Sequence, residues 1–251
     1  MKITILASGS KGNSTLIETE NKNILIDVGL PLSNLEKRLE RSMPKIDILI
    51  ITHTHIDHIK GIKSILKKQK PIIYTLENNL EEKIEDTNLI THEKTYEEDE
   101  LIINLFELSH DVPCLGVYLK EKDNELIYIT DTGYIKEKLL KKYKNKTIYI
   151  IESNYEEEML ISGSYPFYLK QRIRSDRGHI SNEDTCRYLK TLIGDKTKYI
   201  CLAHLSEENN NPEIVKEKVN NTINKLQSKP DRVIICSQIE KKEIILWGKI
   251  W

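Results

Sequence analysis

Seven consecutive residues, Thr52-His53-Thr54-His55-Ile56-Asp57-His58, constrain this chain more than any other stretch. They follow the apolar run Ile46-Asp47-Ile48-Leu49-Ile50-Ile51, which reads as a buried strand of a layered α/β domain. They precede Ile59 to Lys68, whose apolar spacing predicts a helix. Four ligand-type side chains in six positions therefore sit at the carboxyl end of a strand, where open α/β sheets place their ligands. In an extended segment, side chains two apart share a face. His53, His55 and Asp57 are then expected to converge, with His58 turning in on the following helix. A lone histidine is more often an ordinary core or surface residue. Four such groups this close point to a metal, and zinc, iron and manganese all accept imidazole and carboxylate.

The other histidines follow the same logic. Six of the seven, namely His53, His55, His58, His110, His179 and His204, fall at a strand end or in a loop after an apolar run. His92, in Thr91-His92-Glu93-Lys94, reads as surface. Asp57 and Asp131 add carboxylates, and the two oxygens of Asp131 suit it to bridge two cations. Asp27 ends the run Ile24-Leu25-Ile26-Asp27 and is expected to fix a ligand imidazole from behind.

Strands are expected over Lys2–Ala7, Thr15–Thr19, Asn23–Asp27, Ile72–Tyr74, Leu101–Leu108, Gly116–Lys120, Leu126–Thr130, Thr147–Ile151, Lys198–Leu202, Arg232–Cys236 and Glu243–Trp247. Helices are expected over Pro31–Arg41, Ile135–Tyr143 and Pro212–Gln227, with a further start capped by Ser181. A mixed charged region separates Tyr74 from Leu101. No Pro/Gly/Ser linker divides the chain, so its 251 residues are read as one domain of two packed sheets between helical layers. The loop Ser8-Gly9-Ser10-Lys11-Gly12-Asn13-Ser14 is either an anion-lining loop or a plain hairpin turn. The net charge of -1 carries no argument for nucleic acid, which leaves only local patches. One such patch runs from Tyr165 through Phe167, Tyr168, Lys170, Arg172 and Arg174 to Arg177. It reads equally as a solvated helix face or as a phosphate track with stacking rings. Cys114, Cys186, Cys201 and Cys236 form no CxxC pair and read as free thiols, with Cys201 and Cys236 in the core. Met1-Lys2 leads straight into a strand, and no apolar run approaches ~20 residues, so the expectation is a cytoplasmic protein without a membrane span.

Asp27, His53-Thr54-His55-Ile56-Asp57-His58, His110, Asp131 and His204, in this order, resemble the metallo-β-lactamase fold. The resemblance implies a four-layer αββα sandwich with two divalent metals, zinc or manganese. His53, His55 and His110 would hold one metal; Asp57, His58 and His204 the other; Asp131 would bridge. True β-lactamases carry a cysteine where this chain has Asp131, and flavodiiron oxidoreductases a glutamate where it has His55. Beyond the ligands, Ala7 to Ser14, Met159-Leu160, Gly163-Ser164-Tyr165-Pro166, Leu169-Lys170-Gln171-Arg172-Ile173, Ser175-Asp176, Gly178-His179-Ile180-Ser181-Asn182 and His204 to Asn210 resemble the YycJ/WalJ family over essentially the whole chain. That likeness implies a single domain over residues 1–251, no separate β-CASP domain, and 5′-to-3′ exonuclease action on double-stranded DNA. A hydroxide generated by the metals would attack phosphorus. Asp57 would serve in catalysis as well as ligation. Similarity to tRNase Z implies His179 as proton donor to the leaving oxygen and Glu152 as its orienting partner. Ser8, Ser10, Asn13, Lys170, Arg172, Arg174, Ser206 and Asn209 are the residues expected to meet substrate.

Two other readings compete. A hydrolase of small thioesters or lactones would use the same seven ligands, and the patch around Arg172 favours the nuclease over it. A DNA-binding protein with a vestigial site is disfavoured, because each buried, unbound imidazole or carboxylate would carry a desolvation cost.

Overall fold

The computed structural model describes residues 1–76, 80, 84–86 and 89–246. In chain order the first half gives β1 (Lys2–Ala7), β2 (Ser14–Glu18), β3 (Asn23–Ile26), α1 (Leu32–Leu39), β4 (Ile48–Ile50), α2 (Ile56–Ile59), α3 (Ile62–Leu66), β5 (Ile72–Tyr74) and β6 (Ile90–Thr91). The second gives β7 (Thr95–Glu98), β8 (Leu101–Leu108), β9 (Cys114–Glu121), β10 (Asn124–Ile129), α4 (Glu137–Lys142), β11 (Ile148–Glu152), α5 (Glu157–Ser162), α6 (Phe167–Arg174), α7 (Asn182–Leu192), β12 (Tyr199–Ala203), α8 (Pro212–Ile223), β13 (Arg232–Ile235) and β14 (Lys242–Ile245). One sheet runs β14-β1-β2-β3-β4-β5-β6 and the other β13-β12-β11-β10-β9-β8-β7.

Alternation along buried strands builds the layers. Ile24, Ile26, Ile48 and Ile50 of the first sheet meet Leu126, Tyr128, Ile148 and Ile150 of the second in the core between the sheets. Their neighbours Leu25, Leu49 and Ile51 face outward against Leu35, Leu39, Ile62 and Ile65 of α1 and α3. Ile127, Ile129, Tyr149 and Ile151 face the other outer layer, formed by Leu139, Leu140, Leu189 and Val219 of α4, α7 and α8. Each such side chain contributes about 1.5–3 kcal/mol of burial. The result is helix on sheet on sheet on helix, the four layers expected. Cys201 and Cys236 lie between the sheets, and all four cysteines are free and buried. Among the described residues no helix is long and apolar enough to cross a membrane.

The differences from the sequence reading are local. The helix expected from Ile59 to Lys68 is two short pieces, α2 and α3. At Gly61 between them the backbone N–H donates to Val28 O at 2.7 Å, and a Cβ there would meet Leu30 O at 1.9 Å. That close approach of backbones fixes the break. The helix also starts earlier, at Ile56, so Asp57 is not part of an extended ladder with His53 and His55. The charged region before Leu101 holds β6 and β7. Its His92 is exposed, as expected, and its Nδ1 lies 2.9 Å from Thr75 O. Ser181 caps α7 by accepting from Asp184 N–H. Trp247 lies outside the described residues.

Candidate metal centre

Topology brings the ligand-type residues to one edge. β3 and β4 are parallel, as are β10, β11 and β12. Antiparallel steps through β2 and through β9 give β1 and β8 the same direction as their sheets' parallel strands. The carboxyl ends of these strands release Ser8 to Asn13, Asp27, Thr52 to His55, His110, Asp131, Glu152 and His204 on that edge. Three of these residues, Asp27 (φ 59°), Asp131 (φ 59°) and His204 (φ 55°), hold left-handed backbone. Non-glycine residues occupy that region rarely and at a cost, commonly where a site over-determines the backbone. Gly29 permits a second tight contact, since a Cβ there would lie 1.8 Å from Asp57 O.

The two sets expected to hold separate metals are each gathered. Ring nitrogens of His53, His55 and His110 lie within 4.8 Å of one another. One atom each of Asp57, His58 and His204 does the same, and Asp131 joins His53 and His58 in a further group. Asp131 Oδ2 is 3.4 Å from His58 Nε2, and its Oδ1 is 3.4 Å from His204 Nε2. Those two rings belong to the Asp57 set, and the group with His53 ties Asp131 to the other set.

Hydrogen bonds behind the rings set which nitrogen is bare. Thr52 N–H and Oγ1–H donate to the two oxygens of Asp27 at 2.8 and 2.9 Å. Having given its proton away, the Thr52 hydroxyl accepts from His53 Nδ1 at 3.1 Å. His58 Nδ1 donates to Asp27 Oδ2 at 2.8 Å. His110 Nδ1 is 3.3 Å from Gly178 O, and His204 Nδ1 is 2.9 Å from Glu152 Oε1. All four imidazoles thus carry a proton on Nδ1 and turn Nε2 inward, the orientation that a metal requires of a ring whose Nε2 is bare. Nε2 of His53, His110 and His204 and Oδ2 of Asp131 are buried with no hydrogen-bond partner. Native interiors rarely leave such atoms unpaired. A nitrogen-and-carboxylate donor set with bare, converging atoms fits divalent cations.

In the metal-free chain the surrounding carboxylates add a second proton to His58, on the Nε2 that a cation would need bare. Burial lowers His58, but Asp27, Asp131 and Asp57 outweigh it and hold its pKa up at about 9. Burial also pushes Asp27 up despite its donors, so the pair keeps one proton between Nδ1 and Oδ2. Burial would raise Asp57, yet His204 and His58 bring it down to about 2. His53, stripped of water among other imidazoles, is pushed well below the ordinary histidine value. Beside it, the Cys114 thiol lies 3.8 Å from His53 Nδ1, and burial raises it far above its usual range. Cys114 is a packed, neutral thiol.

His179 Nδ1 is 2.7 Å from Glu152 Oε1. Burial raises Glu152, but His179 and His204 overcome it and hold the carboxyl well below the usual range. The site opens into a cleft of about 250 Å³, lined by His55, Asp57, His110, Asp131, His179 and His204 with Ser10, Ser206 and Arg172.

Not every residue expected to meet substrate lines that cleft. Ser10, Arg172 and Ser206 do. Ser8 is buried and accepts from His204 N–H at 2.8 Å. Asn13 is buried, with its amide 3.2 Å from Asp57 Oδ2 and 3.0 Å from His58 Nε2. Asn209 is buried. These three build the wall and are not on its surface. Lys170 donates to the carbonyls of Ile161 and Gly163 at 2.7 and 2.6 Å, closing the end of α5. Arg174 pairs with Glu157 at 2.6 Å. Sequence reasoning gave no role to Thr52, Asn154 or Asp111. Asn154 donates to His204 O at 2.8 Å, and Asp111 pairs with Arg172. Each is adjacent to or one residue removed from a singled-out residue, the only signal the sequence offered.

Residues 22–204 match the family described as "Beta-lactamase superfamily domain". The chain is 36% identical over 227 residues to the exodeoxyribonuclease WalJ of Streptococcus pneumoniae serotype 2, covering 85% of this chain and 84% of that protein. It is 34% identical over 239 residues to the exodeoxyribonuclease YycJ of Bacillus anthracis, covering 89% of each. Among solved structures, the metallo-β-lactamase fold protein YhfI of Bacillus subtilis superposes with a TM-score of 0.73 at 17% identity, over 96% of this chain and 98% of that one.

Proposed function

This chain belongs to the metallo-β-lactamase superfamily and, within it, to the group of the YycJ and WalJ exodeoxyribonucleases, and from that premise we propose a 5′-to-3′ exonuclease on double-stranded DNA that uses two divalent cations. His53, His55 and His110 would hold one cation, Asp57, His58 and His204 the other, and Asp131 would span them. Such cations supply, when bound, a nucleophile from water at neutral pH and neutralise charge on the phosphoryl group.

The remaining chemistry belongs to the chain. The observation that carries the phosphodiester reading is the His179–Glu152 pair at the cleft, with Nδ1 2.7 Å from Oε1. An alkoxide leaves poorly unless it is protonated. Glu152 accepts from His179 Nδ1, which fixes the ring and leaves Nε2 as the atom that delivers a proton. Thr132 N–H donates to Glu152 Oε2 at 3.1 Å, and Thr185 Oγ1–H donates to the Glu152 backbone carbonyl at 2.7 Å, so the carboxylate and the backbone that carries it are both held. A thioester has no such need, because thiols ionise near pH 8.5 and thiolates depart unaided. The thioester reading leaves this pair without work.

The test is parallel incubation of end-labelled duplex DNA, single-stranded DNA, RNA and a thioester with Mn²⁺ or Zn²⁺. Progressive shortening of duplex DNA from its 5′ end is expected. Turnover of the thioester alone would remove the nuclease reading.

A further inference from the structure

Among the described residues, Arg172 is the one lysine or arginine that lines the cleft. Its neighbours in the basic stretch are engaged elsewhere: Lys170 on backbone carbonyls and Arg174 on Glu157. Arg172 reaches from α6 to Asp111, pairing Nη2 with Oδ2. The other oxygen of that carboxylate, Oδ1, lies 3.3 Å from His55 Nε2 and 3.1 Å from His110 Nε2. His110 Nε2 nonetheless has no hydrogen-bond partner. The carboxylate therefore stands over the bare nitrogen of His110 without being bound by it, and it pairs with the guanidinium. One oxygen towards Arg172 and one towards the candidate ligands is the arrangement that two oxygens of a phosphoryl group would take up in the same place, since Arg recognises carboxylate and phosphate with the same fork of N–H donors.

We propose that Asp111 is a tethered competitor for the phosphate of the substrate: Arg172 exchanges the Asp111 carboxylate for a phosphoryl group as substrate enters, and Asp111 takes Arg172 back as product leaves. The proposal rests on the phosphodiester reading above and adds to it a residue that limits how tightly phosphate is held. No bond is made or broken in the exchange. Both partners are partly exposed, at 29% for the Asp111 side chain and 56% for Arg172. An exposed pair of this kind restrains an arginine only modestly, so the competition is weak enough for a substrate to win. The gain is release: a site that pairs cations with a guanidinium would otherwise retain its phosphate product.

The experiment is calorimetric titration of the metal-loaded full chain with inorganic phosphate. Asp111→Asn and Asp111→Ala should tighten phosphate by about three- to tenfold, because they remove a competing partner and a like charge. Arg172→Ala should weaken it. In the Arg172→Ala background, Asp111→Asn should give clearly less tightening, since only the like charge is then removed. Unchanged or weaker phosphate binding in both Asp111 variants would overturn the proposal, as would tightening of the full size without Arg172. Metal content is measured on every variant; loss of metal in both Asp111 variants would make Asp111 a ligand and also overturn it. The titration contains no DNA. A wild-type chain that leaves DNA intact defeats the nuclease reading alone, and an unaltered titration defeats this inference alone.

Discussion

His179 and His204 share one carboxylate oxygen: Glu152 Oε1 lies 2.7 Å from His179 Nδ1 and 2.9 Å from His204 Nδ1. One of these rings is assigned the proton for the leaving group and the other a place on a cation. The same buried carboxylate orients both, so the geometry of proton delivery and of ligation is set by one side chain.

His179→Ala should slow DNA cleavage by about 10²–10⁴-fold, the usual worth of general acid catalysis. The same variant should do far less to bis-p-nitrophenyl phosphate, because nitrophenolate departs without a proton. Comparing kcat on the two substrates checks this. Equal losses on both would make His179 structural.

Asp131→Ala should cost more than one ion, since Asp131 groups with His53 of one set and faces His58 and His204 of the other. Metal analysis of the purified variant should give less than one divalent ion per chain, against two in the wild type. A variant that keeps two ions would show that Asp131 bridges nothing.

Much of this site was legible because its residues sit where strand ends must put them. Apolar runs placed His53, Asp131, Glu152 and His204 at carboxyl ends, and parallel pairing then brought those ends together. Asp27 was legible for the same reason. The extended ladder of His53, His55 and Asp57 was not, because Gly29 lets two backbones approach and the chain turns helical at Ile56. The basic stretch misled for a different cause. Residue type marks Lys170 and Arg174 as phosphate partners, but free carbonyls at the end of α5 and the carboxylate of Glu157 take them. Periodicity predicts which face a side chain occupies and says nothing about what already waits there.

Metal affinity should rise with pH. In the metal-free chain Asp27, Asp131 and Asp57 outweigh burial and keep His58 protonated up to about pH 9. A cation needs Nε2 bare, so below that pH binding expels a proton. The sign follows: affinity climbs by up to about tenfold per pH unit for each proton expelled and levels off above about pH 9. Isothermal titration in two buffers of different ionisation enthalpy measures the proton release directly. Release that is absent near neutral pH would contradict the protonated His58.

Asp27→Asn probes the hydrogen-bond chain that sets the tautomers. The two oxygens of Asp27 accept Thr52 N–H, Thr52 Oγ1–H and His58 Nδ1–H. Asparagine replaces one acceptor with an NH₂ that faces these donors inside a fully buried site. The cheapest relief is for the His58 ring to move its proton to Nε2 and accept the amide through Nδ1. That tautomer offers the cation an N–H in place of a lone pair. Metal affinity should therefore fall by about 10–100-fold, the usual cost of losing a partner behind a ligand. Folding should also weaken, by about 1–3 kcal/mol for a donor left unsatisfied. Chelator competition reads the affinity, and ¹⁵N chemical shifts of the His58 ring read which nitrogen holds the proton. If the shifts keep the proton on Nδ1 and the affinity does not change, Asp27 is a packing residue, and another group selects the tautomer of His58.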